Sequence, residues 1–187
     1  MARVPYLKQS DLPADQQDLL ARNITLFQAL VNSPNAARAF SGLGQFIRFK
    51  SRLDPRLREL AILQVGYLAR QPYEWSHHVK IGRDFGVSDA DIKALIADTE
   101  GKPNELEPLA KAVLRAAREM TNDLAVSDAT FAELQKSLDH ERLVDLTITI
   151  GFYNAVVRVL HTLQIDVEDA YQGYLQEYPL PASRAKS

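Results

Sequence analysis

The 187-residue sequence contains no cysteine. Thiol peroxidases, disulfide reductases, cysteine hydrolases and thiolate–metal centres all need a sulfur nucleophile or ligand, so they are excluded. A small secreted scaffold stapled by disulfides is excluded with them. Neither sign of charge dominates: 22 Lys and Arg stand against 24 Asp and Glu, a net charge of −2 that leaves no basic field for nucleic acid. Apolar runs fall short of the ~20 residues that a membrane-spanning helix needs. The start, Met1-Ala2-Arg3-Val4-Pro5, leads into polar sequence rather than the apolar core of a secretory signal. With no Gly-rich phosphate loop, no nucleotide cofactor is expected. These absences point to a cytoplasmic protein.

What is present is helical punctuation. At ~150 residues per domain the length suggests one domain, and such a chain can bury ~70% of its unfolded surface without staples. Ser33-Pro34 and Asp54-Pro55 each read as an N-cap followed by proline at the first helical position. Ser88-Asp89-Ala90-Asp91 and Ser127-Asp128 read as caps with acid in the first turn, where the helix dipole favours it. Gly86 falls where a helix should stop. Leu57, Leu60, Ala61, Gln64, Val65 and Leu68 recur at three- and four-residue steps. Thr147-Ile148-Thr149-Ile150 is β-branched, but its long proline-free flanks favour one buried helix.

Eight or nine helices are predicted, over about 13–32, 35–49, 55–70, 73–85, 89–98, 106–122, 128–137, 140–163 and 168–177. No pair of strands with hairpin chemistry is present, so the fold class is all-α. The segment 87–92 is echoed at 126–131, as repeated capping chemistry or as a trace of internal duplication. The tail from Pro179 to Ser187 reads as loose.

Chemistry concentrates in Gln71-Pro72-Tyr73-Glu74-Trp75-Ser76-His77-His78. On a helix Glu74 and His78 share a face, and a carboxylate beside an imidazole fixes its tautomer and raises its basicity. A surface ion pair would have the same spacing. His77 points about a quarter turn away. Upstream, Glu59 sits inside an apolar stripe, either as a surface partner of Arg56 or Arg58 or as a buried carboxylate facing the next helix. Ser76 lacks the glycines of a nucleophile elbow, and no His-Glu-x-x-His metal pattern occurs. His140 reads as a solvated or capping residue, and His161 as a cation at a helix C-terminus. On the long last helix, Tyr153 and Asn154 are polar groups in apolar surroundings. Arg158, four residues after Asn154, is either a rim arginine or a fork for a substrate carboxylate.

The run Arg58-Glu59-Leu60-Ala61-Ile62-Leu63, then Tyr73 to His78, then Gly86-Val87-Ser88-Asp89-Ala90-Asp91-Ile92 resembles the carboxymuconolactone decarboxylase family, within the alkylhydroperoxidase D-like superfamily. The likeness covers about residues 45–165 and implies a single-domain helical bundle. It divides the chain into an N-terminal helical extension (1–50), a core (51–165) and a short C-terminal helix with tail (166–187). The peroxidase branch carries Cys-x-His-Cys-x-x-x-His after a glutamate helix. Glu59 and His78 match the glutamate and the final histidine, while Gln71 and Glu74 stand where the cysteines would be. The sequence thus resembles the cysteine-free branch, with its Glu-x-x-x-His pattern.

That resemblance implies a cofactor-free lyase or isomerase for a small carboxylated lactone or aromatic-degradation metabolite. His78 would be the acid/base, oriented by Glu74 or Glu59. Arg58, Tyr73, Trp75, Asn154 and Arg158 would bind substrate, with no metal. It also implies a dimer, trimer or hexamer, for which Phe40, Phe46, Phe49 and Trp75 would suit a buried interface. The competing reading is a non-catalytic oligomeric ligand-binding or scaffold protein of the same fold.

Overall fold

A computed structural model describes residues 2–182; of the expected loose tail, 183–187 lie outside the described residues. Nine α-helices and two 3-10 segments make up the regular structure among those residues. The 3-10 segments are Gln9–Asp11 and Ala14–Leu20. The α-helices are α1 (Thr25–Leu30), α2 (Pro34–Phe49), α3 (Pro55–Ala69), α4 (Pro72–Asp84), α5 (Asp89–Thr99), α6 (Pro108–Asn122), α7 (Asp128–Gln135), α8 (His140–Leu163) and α9 (Asp169–Glu177).

Local chemistry sets most of these boundaries. Asp54 accepts from the Leu57 amide, Ser127 from Thr130, and Ser88 forms a capping box with Asp91. Proline opens α2, α3, α4 and α6, where its missing N–H costs nothing. Ser33 precedes α2 without a side-chain capping bond, the proline alone marking that start. Gly86 takes φ +93 just beyond α4, a left-handed conformation in which a Cβ is strained.

α3 is the axis of the bundle. Every residue from Leu57 to Tyr67 is buried, and α4, α6 and α8 pack around it. A helix buried on all faces has no polar side on which to place charge, so Arg58 and Glu59 must be answered inside the protein. α8 is the longest element and is apolar enough, by length and composition, to cross a bilayer; the sequence reading found no such run. Its most apolar stretch is 56% buried within the bundle, so packing on α3 accounts for that composition.

The N-terminal region departs from the single helix expected over 13–32. After Ala14–Leu20 the chain breaks and restarts at Thr25. Glu168 reaches across the fold to accept from the Thr25 amide at 2.8 Å and its hydroxyl at 2.9 Å, capping α1 from 143 residues away. A small satellite core of Leu12, Leu20, Phe27, Val31 and Ala37 holds this region together. At the other end, Trp75 Nε1 donates to the Tyr178 carbonyl at 2.8 Å, tying the C-terminal segment to α4.

Candidate active site

Glu59 and His78 meet between α3 and α4. His78 Nδ1 lies 2.6 Å from Glu59 Oε2. Glu59 Oε1 accepts from Arg58 Nε at 3.1 Å and Nη2 at 3.0 Å, and Arg58 Nη1 donates to the Arg48 carbonyl at 3.0 Å. Arg58 is 2% exposed and Glu59 is 1% exposed, so the pair is interior. On the other side of the ring, His78 Nε2 lies 3.0 Å from Glu74 Oε1. That approach has ion-pair distance but off-line direction, and Glu74 Oε1 receives no hydrogen bond from the protein. Glu74 is 3% exposed and His78 is 5% exposed, so this is no surface ion pair.

The imidazole therefore lies buried between two carboxylates. Burial pushes its pKa down, but the attraction of Glu59 and then Glu74 more than offsets it, raising His78 to about 8. Burial likewise pushes Glu59 up, and the charges of His78 and Arg58 outweigh it and hold the carboxyl below its ordinary value. At neutral pH this favours an imidazolium with Nδ1–H donated to Glu59 and Nε2 within ion-pair distance of Glu74.

Glu74, His77, His78, Tyr73 and Tyr153 border a cavity of about 490 Å³ enclosed by the N-terminal region, α2, α4 and α8. Tyr153 packs edge-on against His78, with ring centroids 5.0 Å apart. Burial pushes its phenol pKa up strongly, so it stays a neutral donor. Phe40 and Phe152 form an aromatic wall, 4.8 Å between centroids. Among the described residues no cluster of three or more histidine or acidic side chains has the geometry of a metal site.

His77 plays a different part from its neighbour. It is sandwiched between Tyr73 (4.0 Å) and Tyr171 (3.6 Å), and its Nε2 lies 2.8 Å from Glu168 Oε2. Burial lowers its pKa, so the ring is a neutral donor at pH 7. Burial pushes Glu168 up, but the hydrogen bonds from His77 and Thr25 outweigh it and bring it down to about 2. This group fastens α9 and the start of α1 to α4.

The sequence candidates separate on this geometry. Glu59, Glu74 and His78 converge, and Tyr73 borders the cavity. Arg58 stands behind Glu59 rather than in the cavity. Trp75 is fully buried on another side of α4, packed against Tyr67, because each helical step turns the side chain by about 100°; it is neither a substrate contact nor an interface residue. Asn154 and Arg158 do share a face, but that face lies outside the cavity. Asn154 donates to Thr121 Oγ1 at 3.0 Å, and Arg158 is exposed and donates to the Asn154 carbonyl at 2.6 Å. Of the expected interface aromatics only Phe49 is widely exposed, at 69%. Tyr153 and His77, noted in the sequence without an assigned role, border the cavity, as do Arg22 and Arg48, which had not been noted.

The order and packing of the helices are those of the alkylhydroperoxidase D-like fold. The model of the Carboxymuconolactone decarboxylase family matches residues 34–119, from α2 into α6, so that segment is similar to this family. Solved structures that share the fold include the following three. One is an alkylhydroperoxidase AhpD core, an uncharacterized peroxidase-related protein from Ralstonia eutropha JMP134 (20% identity, 93% of this chain and 95% of that one, TM-score 0.75). A second is the debrominase Bmp8, as a single-site variant in complex with 2,3,4-tribromopyrrole (19% identity, 95% and 97%, TM-score 0.77). A third is a protein of unknown function from Agrobacterium tumefaciens, described as a putative antioxidant defence protein AhpD (23% identity, 73% and 93%, TM-score 0.64). At these identities the likeness is one of fold. No curated protein matches the chain.

Proposed function

We propose that the protein is a cofactor-free lyase or isomerase acting on a small carboxylated lactone or related aromatic-degradation metabolite. The observation that carries this reading is His78, held between Glu59 and Glu74 at the wall of a cavity that also receives Tyr153. In a decarboxylation the bond between the carboxylate and its carbon breaks, carbon dioxide leaves, and the electron pair passes into the substrate's own conjugated carbonyl. Tyr153 would donate to the resulting enolate oxygen. The His78–Glu74 pair would deliver one proton to carbon, and solvent would restore it. Glu59 positions the ring through Nδ1, and the charges of His78 and then Arg58 keep Glu59 ionised. The peroxidase chemistry of the superfamily has no thiolate here on which to run.

A second reading has its own observation. Both ring nitrogens of His78 already face carboxylates, as they would in a purely structural ion triad. On that reading the protein is a non-catalytic ligand-binding or scaffold member of the fold. Thermal-shift screening of carboxylated lactones and unsaturated acids, followed by mass spectrometry of each hit, separates the two. Conversion that disappears in His78→Ala with an unchanged helical CD spectrum supports the enzyme. Hits that stabilise the protein and are returned unchanged support the binder. We also propose that the chain forms a homo-oligomer, through the exposed apolar positions Phe49 on α2 and Val144 and Ile148 on α8.

A further inference from the structure

The cavity carries more positive charge than its own acids can answer. Five formally charged side chains other than His78 border it: Asp18, Arg22, Arg38, Arg48 and Glu74. Asp18 and Arg38 pair with each other at 2.9 Å. Glu74 is answered by protonated His78. Arg22 and Arg48 remain. Among the described residues neither guanidinium has a hydrogen bond or ion pair with another side chain, and Arg48 only lies over the Phe49 ring at 5.8 Å.

Two arginines that border one cavity without a counter-ion repel each other at a cost that an anion would relieve. Burial and then the Arg48 charge lower the pKa of Arg22, whose residue is nonetheless exposed at the rim of the cavity. Their supports come from different parts of the chain. Arg22 sits in the break between Leu20 and Thr25, and Arg48 in the last turn of α2. The Arg48 backbone carbonyl is bonded by Arg58, the residue that also holds Glu59, so the backbone at Arg48 is tied to the His78 site. The remaining wall is aromatic and aliphatic, notably Phe40, Phe152 and Ile81.

We infer that Arg22 and Arg48 form the carboxylate clamp of this cavity, taking the place that sequence reasoning gave to Arg58 and Arg158. The ligand class follows: an organic anion with a flat unsaturated body, its carboxylate on the two arginines and its other end at Tyr153, Glu74 and His78. Glu74 Oε1 is a buried acceptor without a donor, so a hydroxyl or N–H at that end of the ligand completes the match. This rests on the acid/base reading above only for the identity of the reacting end; the clamp itself is a binding property.

The test uses benzoate and its neutral isostere benzamide, titrated into the ¹⁵N-labelled full chain and followed through amide and arginine Nε signals. Wild type is expected to bind benzoate roughly tenfold or more tighter than benzamide, as a charge-assisted arginine contact provides. Arg22→Gln and Arg48→Gln should each lower benzoate affinity by roughly tenfold and leave benzamide unchanged. Arg48→Lys should recover part of the loss. Both sites lie at or near the surface, so CD and melting temperature should stay near wild type. Equal affinity for the two probes, a preference that survives both Gln variants, or no benzoate binding at millimolar concentration overturns the clamp. Benzoate selectivity with no conversion of any acid leaves the clamp standing and sinks the enzyme reading. Conversion of a neutral lactone without benzoate selectivity does the reverse.

Discussion

The pH dependence of stability follows from the His78 site with a definite sign. His78 has a pKa of about 8 in the folded protein against 6.5 for an unperturbed histidine. The folded state thus holds this proton more tightly than the unfolded chain. Its contribution is fully present below pH 6.5 and is lost as pH rises through 8; the gap corresponds to about 2 kcal/mol. For a protein of this size that is a fall of about 4–8 °C in melting temperature. His77 acts in the opposite sense: burial depresses its pKa, so it destabilises the fold only as pH falls below 6.5. Glu168, brought down to about 2, adds stability that is present above the unfolded carboxyl value near 4.5 and is lost as pH falls towards 2.

Stability should therefore peak near pH 6.5 and decline on both sides. Urea denaturation followed by CD between pH 5 and 9, with His78 Cε1–H titrated by NMR in the same buffers, measures both quantities. A His78 that titrates at or below 6.5, or a flat free energy of unfolding between pH 6.5 and 8, refutes the reasoning. Glu59→Gln removes the largest favourable charge on the ring and should move the His78 titration well below its wild-type value.

Other outcomes follow from the same geometry. Glu59→Gln leaves the buried Arg58 guanidinium without its carboxylate, so unfolding should become easier by about 3–5 kcal/mol, read from the urea midpoint; a loss under about 1 kcal/mol would contradict an interior pair. Trp75→Phe removes the bond to the Tyr178 carbonyl and should cost about 1–3 kcal/mol in unfolding free energy while leaving benzoate affinity unchanged. Arg158→Ala should stay within about 0.5 kcal/mol of wild type and bind benzoate normally, because its side chain only reaches back to Asn154. Ile148→Glu should lower the mass measured by light scattering to that of a monomer of 21.0 kDa; an unchanged assembly would place the interface elsewhere.

The helix starts were legible because capping is local: Asp54, Ser88 and Ser127 each satisfy an amide three residues ahead. The break at residues 21–24 was not, because the acceptor that caps α1 is Glu168, placed there only by the folded chain. The same contrast governs the site. Glu74 and His78 are four residues apart on one helix, and Glu59 stood out as an acid in an apolar stripe, so the triad could be read from spacing and family likeness. Asn154 and Arg158 also keep helical spacing, yet spacing does not say which face of α8 is turned towards α4. Arg22 and Arg48 carried no local sign at all, since they border one cavity only after the N-terminal region folds over α2 and α4.

Proton transfer between His78 and a carbon of the bound acid is tested most directly by solvent deuterium incorporation. An acid found to bind is incubated with the protein in D₂O, and label entering at its carbon is followed by NMR and mass spectrometry. Wild type is expected to place deuterium at the reacting carbon, with loss of carbon dioxide or migration of the double bond, and His78→Gln should slow incorporation by about 100-fold or more. Incorporation at the same rate in His78→Gln, with binding intact, would contradict the role assigned to this histidine.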